Sequence, residues 1–169
     1  MSERRAPEVE PAGVQEAEAE ADVEVQTQVE AAFSELEVDA PRVGIVSAER
    51  EDMEVLDPAA SELERRGIMH EVRILSPGRD PAAVADYARN AQMRGLRVII
   101  AGSAGSGSLP AMIATHSELP VIAVPLAEGE AGLQAQRALG ALGPDAPVAC
   151  VGPGAARGAA VLAARILGA

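Results

Sequence analysis

The chain is predicted to be α/β: a doubly wound parallel sheet inside a three-layer α/β/α sandwich. Three observations carry this. Beyond Pro41, five short apolar runs alternate with helix-length stretches. Glycine or proline punctuates most of the boundaries. The stretch Gly102-Ser103-Ala104-Gly105-Ser106-Gly107-Ser108-Leu109-Pro110 follows the apolar run Val98–Ala101 and precedes a helix-like segment, the place where such a sheet keeps its ligand crevice.

Each element has its own signal. Val43-Gly44-Ile45-Val46 reads as the first strand, and Asp57-Pro58 as the start of a helix that stops at Gly67. Glu71 to Leu75 is the second strand, followed by a helix from Pro81 to Arg94 with Gly95 as its stop. Val98–Ala101, Val121–Val124 and Pro147–Val151 give three further strands; helices are expected over Leu109–Thr115, Gly132–Leu142 and Ala155–Leu167. Glycines 102 and 105 are expected to serve backbone shape.

Residues 1–22 have no apolar periodicity and read as a disordered acidic tail. Over 23–40, Val25, Val29, Ala32, Phe33 and Leu36 recur at helical spacing, so a short amphipathic helix is expected, able to dock within an assembly or on a protein partner. Residues 41–169 form the α/β domain. The 169 residues, 48% hydrophobic, allow one core of ordinary size.

Charge is unevenly placed. Residues 1–40 hold twelve acidic and two basic side chains, whereas 41–169 hold fourteen and twelve, so nearly all of the net −12 belongs to the N-terminal segment. With no basic patch and no stacking platform, nucleic acid is not expected as a partner. No apolar run approaches the roughly 20 residues that span a bilayer, so no membrane association and a cytoplasmic location are expected. Every basic residue is arginine, which excludes lysine Schiff-base and Walker-lysine chemistry. The single cysteine, Cys150, sits in an apolar run and is expected to be a buried small hydrophobe.

Three loops are expected at the carboxyl ends of the strands: Ser47 to Asp52, Ser76 to Pro81, and the glycine–serine stretch. Together they offer an arginine, carboxylates and small hydroxyls, suited to a phosphorylated metabolite. Read with Pro41–Val46, Arg94–Gly102, Leu119–Pro125 and Leu162–Leu167, they make the chain from Pro41 to Ala169 resemble the PurE family, the carboxyaminoimidazole ribonucleotide mutases of purine biosynthesis.

That resemblance implies a flavodoxin-like fold, a homo-octamer, a ribonucleotide ligand and no cofactor. It implies ligand contacts from Glu49, Asp52, Ser76, Arg79, Ser103, Gly105 and Ser108. The family's first loop, Gly-Ser-x-Ser-Asp, matches Ala48, Glu49, Arg50, Glu51 and Asp52, so only the aspartate is kept and Glu49 replaces a phosphate-facing serine. Glu49 would repel a phosphate unless Arg50 or Arg79 compensates. The second, Ser-Ala-His-Arg-Thr-Pro, matches Ser76-Pro77-Gly78-Arg79-Asp80-Pro81, with the arginine kept and the histidine absent. In the third, Ser108 stands where the family has its proton-shuttling histidine.

A serine hydroxyl cannot take over an imidazole's general acid–base role, worth about 10²–10⁴-fold. Neither His116, some eight residues further on, nor His70, before the second strand, matches that position; His116 is expected at a surface or interface. Ser108 is expected to cap the next helix. The reading is a PurE-like octamer with a degenerate site and little or no mutase activity. The alternative is an active divergent enzyme transferring a carboxyl group on an aminoimidazole ribonucleotide or related nucleotide. A flavin binder is disfavoured, because Phe33 and Tyr87 are the only aromatic residues.

Overall fold

A computed structural model describes residues 25–28 and 40–169. The chain divides into two compact units, Met1–Asp39 and Ala40–Ala169. In the first, residues 25–28 are helical with Val25 exposed; the acidic tail over 1–22 and most of the amphipathic segment over 23–40 lie outside the described residues.

The second unit is a five-stranded, all-parallel sheet in the order β2-β1-β3-β4-β5. Its strands are β1 (Val43–Ser47), β2 (His70–Ile74), β3 (Val98–Ser103), β4 (Val121–Pro125) and β5 (Ala149–Cys150). Strands β1, β3 and β4 are fully buried, as β-branched runs covered on both faces should be. The helices are α1 (Met53–Arg65), α2 (Pro81–Asn90), α3 (Ser108–His116), α4 (Gly129–Gly140) and α5 (Ala156–Leu167), with a 3₁₀ turn at Gln92–Arg94.

One face of the sheet packs Ile45, Ile100 and Ile122 against Leu56, Ala59 and Leu63 of α1 and five alanines of α5. Those small side chains let α1 and α5 come close together over the middle of the sheet. The other face packs Val46, Ile99 and Val121 against Val84, Tyr87 and Ala88 of α2 and Leu109 and Ile113 of α3. Each fully buried leucine or isoleucine contributes about 1.5–3 kcal/mol of transfer free energy. The expected sandwich is therefore present, and β1 and β3, whose connections leave in opposite directions, sit side by side at its centre.

Several boundaries differ from expectation. Helix α1 begins at Met53, not at Asp57-Pro58, and Pro58 lies exposed inside it. The proline costs one backbone bond there, but burial of Leu56 on the N-terminal side and Leu63 on the other holds the helix continuous. Helix α2 ends at Asn90; the 3₁₀ turn completes the segment and Gly95, at φ +96°, stops it as expected. Strand β3 runs two residues further than predicted, so Gly102 and Ser103 belong to the strand. Gly102 is there for packing: a Cβ would meet Leu126 and Leu56 at 3.1–3.2 Å. Strand β5 is only two residues long, and Cys150 is half-buried, its Sγ donating to the Val151 carbonyl at 3.3 Å and burial pushing its thiol pKa up.

Candidate functional site at the carboxyl ends of the strands

Strand β1 ends on Ser47, a buried hydroxyl at the last sheet position. Its Oγ donates to the Glu49 carbonyl at 2.9 Å and reaches Asp52 Oδ2 at 3.5 Å, folding the loop back over the strand end. Asp52 is thereby held at the entry to α1. Next to it, the Leu75 amide donates to the Ser47 carbonyl at 2.8 Å and keeps β2 aligned past its own end.

The second loop is a tight turn. The Ser76 carbonyl accepts from both Arg79 N (3.2 Å) and Asp80 N (2.9 Å), and the Asp80 carboxylate accepts from Ala83 N at 2.9 Å, capping α2 ahead of Pro81. This turn aims Arg79 across to the first loop. Its Nη2 donates to the Ala48 carbonyl at 3.1 Å and to Glu49 Oε2 at 2.9 Å. Arg79, not Arg50, is therefore the cation that answers the Glu49 carboxylate, and it ties the two loops together.

The third loop leaves β3 through two left-handed glycines, Gly105 at φ +82° and Gly107 at φ +71°. Gly107, packed under Leu139 of α4, occupies the N-cap position of α3. Ser108 is thus the first residue of the helix and makes no cap bond, contrary to expectation; its Oγ accepts from Ser106 Oγ at 3.2 Å. Ser103 is buried at the end of β3, and its Oγ has no hydrogen-bond partner among the described residues. A buried hydroxyl left unpaired is a group that a ligand can satisfy.

Among the predicted residues, Glu49 and Arg79 are joined directly, and Asp52 joins the same loop through Ser47. Ser76 contributes its carbonyl to the turn. Ser103, Gly105 and Ser108 gather at the end of the adjacent strand, without a bond to the first group. Ser47 and Asp80 are the organising residues that sequence reasoning passed over. A hydroxyl at a strand's last position and an aspartate directly before proline were the available signals.

The histidines lie elsewhere. His116 closes α3, with Nδ1 2.9 Å from the Met112 carbonyl, and His70 opens β2, with Nε2 4.0 Å from a Glu64 carboxylate oxygen. The three loops therefore present hydroxyls, carboxylates and two guanidiniums, Arg50 and Arg79, of which Arg79 is already paired. An apolar groove of about 510 Å³ lies at the amino end of β4, lined by Val121, Leu139, Pro144, Pro147 and Val148. It offers no ionisable group, and the chemistry-bearing residues are at the opposite ends of the strands.

The model of the AIR carboxylase family matches residues 42–169. The chain is 43% identical over 129 residues to the N5-carboxyaminoimidazole ribonucleotide mutase of Mycobacterium leprae, covering 76% of this chain and 75% of that one. It is 42% identical over 129 residues to the mutase of Thermotoga maritima, with the same coverage. The crystal structure of Treponema denticola PurE superposes with a TM-score of 0.65 at 23% identity, over 76% of this chain and 80% of that one, a likeness of fold. From the first buried strand to the closing alanine-rich helix, this chain belongs to the AIR carboxylase, or PurE, family.

Proposed function

We propose that the chain is a PurE-family protein that keeps a ligand crevice at its three loops and has little or no mutase activity. The observation that carries this is Ser108. A hydroxyl bonded to Ser106 opens α3 where the family resemblance calls for a histidine, and the chain's two histidines sit at the far end of α3 and at the start of β2. No imidazole is then available there to move a proton between ring carbon and base. The Glu49–Arg79 pair supports the same reading, since the retained arginine is already engaged by a carboxylate. A cytoplasmic homo-octamer with a ribonucleotide ligand is part of this proposal; among the described residues no helix is long and apolar enough to cross a membrane.

The second reading, an active divergent enzyme performing carboxyl transfer on an aminoimidazole ribonucleotide, is favoured by the mutase names of the relatives and by the ordered Asp52 and Arg79. The purified full chain should be melted with and without aminoimidazole ribonucleotide and assayed for carboxyl transfer. A ligand at 100 times its Kd stabilises the native state by about 2.7 kcal/mol. The expected result is a shift in Tm without turnover, and no turnover after Ser108→His alone while Glu49 remains. Robust wild-type turnover would establish the enzyme reading instead, and an unmoved Tm at millimolar ligand would remove the crevice from the proposal.

A further inference from the structure

Glu62 is the one carboxylate among the described residues that is fully buried, its side chain 2% exposed, and three arginines converge on it. Oε1 accepts from Arg65 Nη2 at 2.5 Å and Arg66 Nε at 2.7 Å; Oε2 accepts from Arg65 Nε at 3.3 Å and Arg157 Nε at 3.0 Å. Arg65 closes α1 and Arg66 follows it, while Arg157 comes from the first turn of α5, so the carboxylate ties the two helices together. One guanidinium would be enough for that tie. Three guanidiniums around one carboxylate leave a local charge of +2 on a unit that is otherwise slightly acidic.

We propose that Arg65, Arg66 and Arg157 form a binding site for a multiply charged oxyanion, a phosphate or diphosphate group, on the surface where α1 meets α5. Glu62 is saturated by its four hydrogen bonds, while each guanidinium carries five N–H donors. Arg66 and Arg157 spend only Nε on Glu62, and their terminal nitrogens meet no other acceptor among the described residues. The Arg65 and Arg157 side chains are 62% and 70% exposed, so the forks are open to solvent. Planar forks suit phosphate oxygens bidentately, and forks already fixed by a buried anchor lose little freedom on binding. A dianion matches the surplus charge and relieves the repulsion among the three cations. The site is separate from the three loops: Glu62 lies ten residues beyond Asp52, about 15 Å along the helix.

The test is calorimetric titration of the full chain with inorganic phosphate and with pyrophosphate at low ionic strength. Saturable binding of one anion per chain is expected, tighter for pyrophosphate. Arg66→Gln and Arg157→Gln should each weaken it by about tenfold, Arg157→Lys should weaken it less, and Arg79→Gln on the loops should leave it unchanged. Circular dichroism reports whether each variant is folded; Arg66→Gln keeps the Glu62–Arg157 link between the helices and stands in should Arg157→Gln unfold. The absence of saturable binding, binding indifferent to Arg66 and Arg157, or binding abolished by Arg79→Gln would each overturn the proposal.

Discussion

Glu62 is the residue whose sequence context says least about its role. A glutamate on an exposed-looking helix between Ser61 and Leu63 reads as a solvated face, and its third partner is 95 residues away on α5. Only the packing of α5 over α1 brings Arg157 to it. Hydrogen bonds from Arg65 first, then Arg66 and Arg157, hold its pKa at about 2, below the ordinary 4.5. A carboxylate depressed in this way adds stability in full above its unfolded pKa and loses it as the pH falls through the folded one. The melting temperature of Glu62→Gln should therefore fall well below that of the wild type near neutral pH. Below about pH 4.5 the gap should narrow progressively towards pH 2. A gap constant across that range would mean that shape, not charge, makes the tie. The site residues show the same limit of legibility: Glu49, Asp52, Arg79 and Ser108 could be placed on loops from the sequence, but the choice of Arg79 over Arg50 as the partner of Glu49 depends on how the Ser76 turn projects it.

Individual elements were legible in proportion to how strongly local chemistry agreed with tertiary burial. Strands β1, β3 and β4 are dense in valine and isoleucine and lie at the sheet centre, so their apolar runs located them to within two residues. Helix α1 was misjudged at its start because Asp57-Pro58 imitates a cap, whereas the buried row Leu56, Ala59, Leu63 and the Ser47–Asp52 contact determine where it begins. Strand β5 is shorter than its apolar run because only Ala149 and Cys150 pair with β4. Helix α2 was located correctly at its start by Pro81, although its Asp80 cap was not foreseen and the α-helix ends at Asn90, before the 3₁₀ turn that Gly95 stops. Asp80 accepts from Ala83 N and sits beside the arginine that ties the loops. Asp80→Ala should cost about 1 kcal/mol in urea unfolding. It should also reduce any Tm shift produced by aminoimidazole ribonucleotide, because Arg79 is launched from the turn that the cap anchors. A loss of stability with an undiminished ligand shift would separate the helix cap from the site.

At the scale of the whole molecule, the sheet is unevenly covered. A parallel sheet is ordinarily buried on both faces, yet edge strand β2 leaves Val72 41% and Ile74 37% exposed, with Met69 beside them at 50%. Apolar side chains grouped on an edge strand are a liability in a solitary subunit, since unpaired strand N–H and C=O groups adjoin them. The octamer we propose would supply further copies of the chain to cover such surface, and most of the net charge of −12 resides in residues 1–40, leaving the α/β unit nearly neutral and free of strong self-repulsion. Sedimentation equilibrium of the full chain should accordingly give a mass about eight times 17.3 kDa. Dissociation on dilution should be accompanied by increased binding of a hydrophobic dye as the β2 edge is uncovered. A chain that sediments as a monomer at micromolar concentration would show that the edge stays open in solution, and it would sever this protein's assembly from that of the family whose fold it shares.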